Sequence, residues 1–266
     1  MLTNANFLKG LSIHATDGQL GTVDEFLFDD DSWAIRYLVV DTGGWLNGRK
    51  VLISPLSVAG TEWPARRLDV NLTLEQVKHS PSIDTHQPVS RQHEAAYLGY
   101  YGYPYYWSGP YYWGPADYPV GMARTASSTV AANDEKIRKE SHDSHLRSSN
   151  HITGYHVEAS DGEIGHIDGF VVDDQSWAIR YLVVATRNWL PGKKVLVAPA
   201  WAHRITWEEA KVYMGPTREM IRSAPEYVES RPLTREYETQ LYLHYERAPY
   251  WARESEHAAL FASGRV

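Results

Sequence analysis

The chain has 266 residues, 43% of them apolar, and a formal net charge of −7. That length suits one large domain or two small ones, and the acidic balance argues against a general nucleic-acid binder, whose footprint is basic. The absence of cysteine excludes disulfides, zinc–thiolate sites and a cysteine nucleophile.

No stretch approaches the roughly 20 apolar residues of a membrane span. The opening MLTNANFLKG lacks the basic-then-apolar build of a secretion signal, so a cytoplasmic protein without a transmembrane segment is expected.

The sequence SWAIRYLVV occurs at 32–40 and again at 176–184. At an offset of 144, Gly10–Pro55 aligns with Gly154–Pro199 without a gap, and 26 of 46 positions are identical. The register continues through Trp63 and Trp207, Thr73 and Thr217, Arg91 and Arg235, and Trp107 and Trp251. Such a period is domain-sized, far longer than a solenoid unit. The organisation predicted is a first domain over 1–107, a linker over 108–146, a second domain over 147–251 and a tail over 252–266.

In chain order, Asp17-Gly18 and Asp161-Gly162 signal hairpin turns. Leu20, Phe26 and Phe28 alternate along the next strand, but Val23 falls out of phase, which predicts a bulge near Thr22–Glu25. The Asp29–Asp31 turn leads into Trp33–Val40. That segment is apolar on both faces, as in a covered central strand. Turns at Asn47-Gly48 and Pro191-Gly192 precede strands Lys50–Ile53 and Lys194–Val197. A strand is expected near 204–214, although Thr206 and Glu209 have capping-box spacing and allow a helix there. Thr73 and Thr217 open short helices that stop before Pro81 and Pro225. Longer helices are predicted over Arg91–Tyr101 and Arg235–Tyr245.

Asp17-Gly-Gln-Leu-Gly21, Asp29-Asp30, Trp33–Val40, Trp45-Leu46 and Gly48–Leu52, with their counterparts at Asp161–Gly165, Trp177–Val184 and Trp189–Leu196, resemble a PRC-barrel domain. The family includes the cytoplasmic barrel of the photosynthetic reaction-centre H subunit and the C-terminal part of a ribosome maturation factor. The resemblance implies a mainly β fold: two tandem small PRC-type β-barrels with short peripheral helices, acting as docking or assembly modules. It transfers no functional residue.

Candidate sites are few. Asp29, Asp30 and Asp31, with Asp173 and Asp174, form acidic turns that lack the spaced ligands of a calcium loop and give no reason for two carboxyl pKa values to separate. Arg36 and Arg180 lie inside duplicated apolar strands. A buried arginine must be paired, so the readings are exposure at a rim or domain interface, an internal pair with Asp24 or Asp168, or contact with an anionic ligand. Trp33, Trp177, Trp45 and Trp189 suit core or interface packing. His142 and His145 form no spaced motif such as HExxH, and metal ligation by His142, His145 and His151 near the start of the second domain is a minor alternative. Residues 97–118 hold nine tyrosines and two tryptophans with no Lys or Arg. Tyr103, Tyr105, Tyr106, Trp107, Tyr111, Tyr112 and Trp113 belong to an aromatic strip whose first reading is a segment folded over a barrel surface or poorly ordered in isolation, with docking of a protein or a second copy as the alternative.

These features predict a non-enzymatic interaction or scaffolding protein with no cofactor, an unknown protein partner or self-association, and no direct nucleic-acid binding. Two competing readings are a small-molecule site or enzyme between the barrels, and a ribosome-associated assembly factor.

Overall fold

The structure, a computed structural model, describes residues 1–81, 89–109, 111–114, 116–119, 145–186 and 193–252. One compact unit comprises Met1–Thr153 with Gly169–Arg180, and the other comprises Gly154–Asp168 with Tyr181–Val266. The Pro191-Gly192 turn, residues 120–144 of the expected linker and the tail beyond 252 lie outside the described residues.

The first copy contributes β1 (Leu2–Asn4), β2 (Ser12–Ala15), β3 (Gly18–Asp29), β4 (Ile35–Asp41), β5 (Lys50–Ile53), β6 (Val58–Glu62) and β7 (Arg67–Val70). Helices α1 (Leu74–Lys78) and α2 (Arg91–Tyr101) follow. The second copy contributes β8 (Leu146–Ser148), α3 (Ser149–Ile152), β9 (His156–Ala159), β10 (Gly162–Asp173) and β11 (Ile179–Thr186). It continues with β12 (Lys194–Val197), β13 (Ala202–Thr206), β14 (Lys211–Met214), α4 (Arg218–Ser223) and α5 (Arg235–His244).

The two seven-stranded sheets follow the six-strand paths β5-β4-β3-β2-β7-β6, with β8 off the path on β3, and β12-β11-β10-β9-β14-β13, with β1 off the path on β10. Neither closes on itself, which corrects the expectation of two barrels. At the β5 edge, the Tyr97 hydroxyl of α2 accepts from Ser54 N–H and donates to the Leu52 carbonyl, both at 3.1 Å. At the β12 edge, Val195 bridges to Glu226, and Tyr227 N–H donates to the Lys194 carbonyl at 2.8 Å. Peripheral groups therefore satisfy backbone that a closing strand would have paired. Helices also supply core: Tyr97 and Leu98 of α2 and Leu241 and Tyr242 of α5 are buried. The architecture is mixed α/β rather than mainly β.

β3 is bulged between Val23 and Glu25, as the broken alternation predicts. β4 is buried from Ile35 through Val40 and lies between β3 and β5. Around Trp207 the chain forms a turn between β13 and β14, neither a continuous strand nor a helix. The Thr73 capping box is present. The hairpin Asp17 and Asp161 carboxylates also accept from the first helical amides, Leu74 and Arg218, at 2.8 and 2.7 Å. The second glycine of each D-G-x-x-G motif is required by space: a Cβ on Gly21 would lie 2.2 Å from the Asp41 carbonyl oxygen, and one on Gly165 2.0 Å from that of Ala185. Gly21→Ala is expected to cost about 3 kcal/mol in urea unfolding, because backbone must move.

The opening strand of each copy pairs with the long strand of the other, within the first unit. β1 pairs with Val171–Asp173 of β10, and β8 pairs with Leu27–Asp29 of β3. Ala34 bridges Ala178, flanked by Ile35 N–H to Trp177 O at 2.8 Å and Ile179 N–H to Trp33 O at 2.7 Å. Trp33 and Trp177 adopt φ of 57° and 59°, a left-handed conformation costly for a bulky residue. The strands consequently begin at Ile35 and Ile179, two residues later than the sequence suggests.

Candidate functional site

The turns before β4 and β11 are built by their first aspartates. Asp29 Oδ1 accepts from the amides of Asp31 and Ser32 at 3.1 and 2.9 Å. Asp173 Oδ1 accepts from Gln175 at 3.1 Å, and its Oδ2 accepts from Ser176 Oγ at 2.9 Å. Three residues beyond each left-handed tryptophan, at the second position of β4 and of β11, an arginine is directed back at its aspartate. Arg36 reaches Asp29 at 3.5 Å and Arg180 reaches Asp173 at 2.9 Å. Burial raises the Asp173 pKa, but the Arg180 charge and hydrogen bond, together with the hydrogen bonds from Gln175 and Ser176, outweigh it and hold the carboxyl below its ordinary range. Asp24 and Asp168, the partners suggested by sequence, instead pair with Lys50 and Lys194.

Both arginines are buried and both meet the aromatic strip. Arg36 Nη1 donates to the Tyr112 carbonyl, and Arg180 Nη1 donates to the Tyr112 hydroxyl at 3.2 Å. The Arg36 guanidinium lies 3.7 Å from the Tyr106 ring centroid and 5.0 Å from that of Trp113, in cation–π geometry. Trp113 is 0% exposed and donates its indole N–H to the Ser176 carbonyl at 2.8 Å. The strip is therefore a strap folded onto the unit, with Tyr106 and Trp113 inside it. Tyr103, Tyr105, Trp107, Tyr111 and Tyr112 are half-buried. Trp45 is partly exposed, with its indole N–H on the Leu20 carbonyl. Trp189 lies outside the described residues.

A second constellation escaped the sequence reading. Glu94 of α2 is 1% exposed and accepts from three donors: Arg91 at 3.2 Å, Tyr106 at 2.5 Å and Tyr37 of β4 at 3.3 Å. Arg91 also donates to Tyr106 at 2.7 Å and covers Trp107 at 4.4 Å. Burial pushes the Glu94 carboxyl up to about 7 against the lowering by Arg91 and Tyr106. The same set recurs 144 residues on. Glu238 accepts from Tyr181 at 2.7 Å and Tyr250 at 3.1 Å, and pairs with Arg235 at 3.2 Å. The signal available in sequence was the repeated Arg-x-x-Glu followed by Tyr-Trp, at 91–94 with 106–107 and at 235–238 with 250–251.

The structure also gathers residues that the sequence left in separate groups. Ligand atoms of Asp30, Asp31 and His145 lie within 4.8 Å of one another. Arg147 Nε already bonds Asp30 Oδ2 at 2.7 Å. Burial raises the Asp30 pKa, partly offset by Arg147. Three protein atoms are one fewer than a tetrahedral structural zinc site takes. In the second copy Gln175 replaces Asp31.

A groove of about 400 Å³ runs beside β6 in the first unit, lined by Pro55, Val58, Gly60, Thr61, Tyr118 and Trp177 among others. Among the described residues, no helix is long and apolar enough to cross a membrane. No curated protein matches the chain. Residues 4–62 match the PRC-barrel domain model, and the second sheet repeats the strand order of the sheet that contains most of this stretch.

Proposed function

We propose that the chain is a non-enzymatic interaction module made of a tandem pair of PRC-type units, and that it binds an extended segment of a partner protein along β6. The observation that carries this reading is the groove beside an end strand of an open sheet. An end strand offers unpaired backbone groups in line, and an extended peptide can add to it while a neighbouring pocket selects its side chains. Aromatic and proline side chains line that pocket together with Thr61, Asp174 and Gln175. The duplicated charged residues support the same reading from the other side, since Arg36, Arg180, Glu94 and Glu238 are engaged in internal pairs.

Gly60 provides the test. A Cβ there meets nothing within 4 Å, so Gly60→Arg places a long cation beside the groove without straining the fold. Isolation of the intact chain from its native cells is expected to recover a specific protein partner or self-complex, and Gly60→Arg is expected to lose it while unfolding like the parent. Full retention by that variant, or recovery of no specific complex across growth conditions, would defeat the reading.

A further inference from the structure

Three elements of the first unit meet at Glu94: α2, which carries it with Arg91; β4, which brings Tyr37; and the strap, which brings Tyr106. All three neighbours donate to the carboxylate. Arg36 and Asp29 complete the charged surroundings, as a pair linked at 3.5 Å beneath the Tyr106 ring. Tyr97, on the same helix face, packs edge-on against Tyr37 with ring centroids 5.1 Å apart. A carboxylate this enclosed has surrendered its hydration, and ionised carboxylates resist burial strongly.

A proton on Glu94 has a place to sit. Tyr106 already accepts from Arg91, and Oε1 faces the Arg91 cation. Oε2, which accepts from Tyr106 at 2.5 Å and lies 3.3 Å from the Tyr37 hydroxyl, is where a carboxyl O–H can donate to Tyr37 once that hydroxyl turns to accept. We propose that Glu94 is a proton-binding site that latches the aromatic strap: the proton held between Glu94 and Tyr37 keeps Tyr106 seated over Arg36, and its loss loosens the strap. Lifting Tyr106, which bonds Glu94, and Trp107, which lies against Arg91, would return water to the carboxylate. Release would also expose the Arg36 guanidinium that the strap covers. The inference is independent of partner binding at β6.

The sign follows from linkage. In the seated state the carboxyl holds its proton up to about 7, whereas a hydrated carboxyl releases it near the ordinary glutamate value. Protonation therefore favours the seated state. Opening should increase with pH by up to about tenfold per unit between those two values and be flat above the upper one. His93 lies beside Glu94 in α2, and burial lowers its pKa. A histidine kept neutral by folding favours the closed state as pH rises, which is the opposite sign, so it cannot produce this profile.

Hydrogen exchange of the full-length protein between pH 5 and 8, corrected for intrinsic exchange, reads the strap directly. The Trp113 indole N–H, bonded across to the Ser176 carbonyl at 2.8 Å, reports opening, and the Trp113 and Gly114 amides, bonded within the strap to the Ala116 and Tyr111 carbonyls, are followed alongside it. Protection of that indole N–H is expected to fall by at least tenfold from pH 5 to 7 and then level off, and to be flat in Glu94→Gln. Tyr106→Phe keeps the ring over Arg36 but removes the shortest donor to the ionised carboxylate, so levelling off should move to higher pH. It serves as the second variant should Glu94→Gln not fold. Protection independent of pH in the parent, a fall that persists in Glu94→Gln, or an unmoved profile in Tyr106→Phe would each overturn the latch.

Discussion

Trp113→Ala is expected to lower the unfolding free energy by about 3–5 kcal/mol, the range for truncating a fully buried large aromatic. The side chain is 0% exposed, its indole N–H holds the Ser176 carbonyl, and its ring covers Arg36. Truncation removes apolar burial, leaves that carbonyl without its donor and opens space beside a guanidinium. Had the strip been a free docking surface, the same substitution would stay within about 0.5 kcal/mol, as surface changes do. Urea unfolding of the purified variant separates these outcomes.

Arg36→Met is expected to cost about 3–5 kcal/mol for a different reason. It leaves Asp29, whose side chain is 8% exposed, buried without its counter-charge, and breaking one side of a buried pair is more damaging than never having formed it. The equivalent change in the second copy adds a pH signature. Arg180, assisted by hydrogen bonds from Gln175 and Ser176, holds Asp173 below the ordinary carboxylate range despite burial. A lowered folded value contributes stability that is present above the unfolded pKa and lost as pH falls through the folded one. The difference between the parent and Arg180→Met should therefore be full at pH 7 and shrink below the ordinary carboxylate range. Urea midpoints from pH 7 down to 3 check this. A difference that did not change with pH would assign the loss to packing of the arginine stem.

Local chemistry was readable wherever a residue acts on its near neighbours. The out-of-phase Val23 announced the β3 bulge, and Thr73 with Gln76 announced a capping box. The duplicated Asp-Gly pairs marked hairpins, and the apolar run at 35–40 marked a covered central strand. Each of these is decided within a few residues by alternation, capping or turn geometry.

The charged residues were a different matter. Arg36 sits as far from Asp24 as Arg180 does from Asp168, and spacing alone offered no reason to prefer Asp29 and Asp173. The left-handed Trp33 and Trp177, which no local propensity would predict, bring each arginine back over its own turn. The Glu94 cluster had the same obstacle, since its donors come from β4, α2 and the strap.

The sequence by itself determined that one unit was made twice, and it set the order of strands, turns and helices in each, because duplicated letters carry duplicated local preferences. Only the tertiary structure decided that the sheets stay open, that β1 and β8 pair with each other's long strands, and that the aromatic strip lies over Arg36. Those outcomes depend on which distant group satisfies a given backbone edge or buried charge. Tyr97 reaching the end of β5 from 43 residues away is a contact that composition and periodicity do not encode.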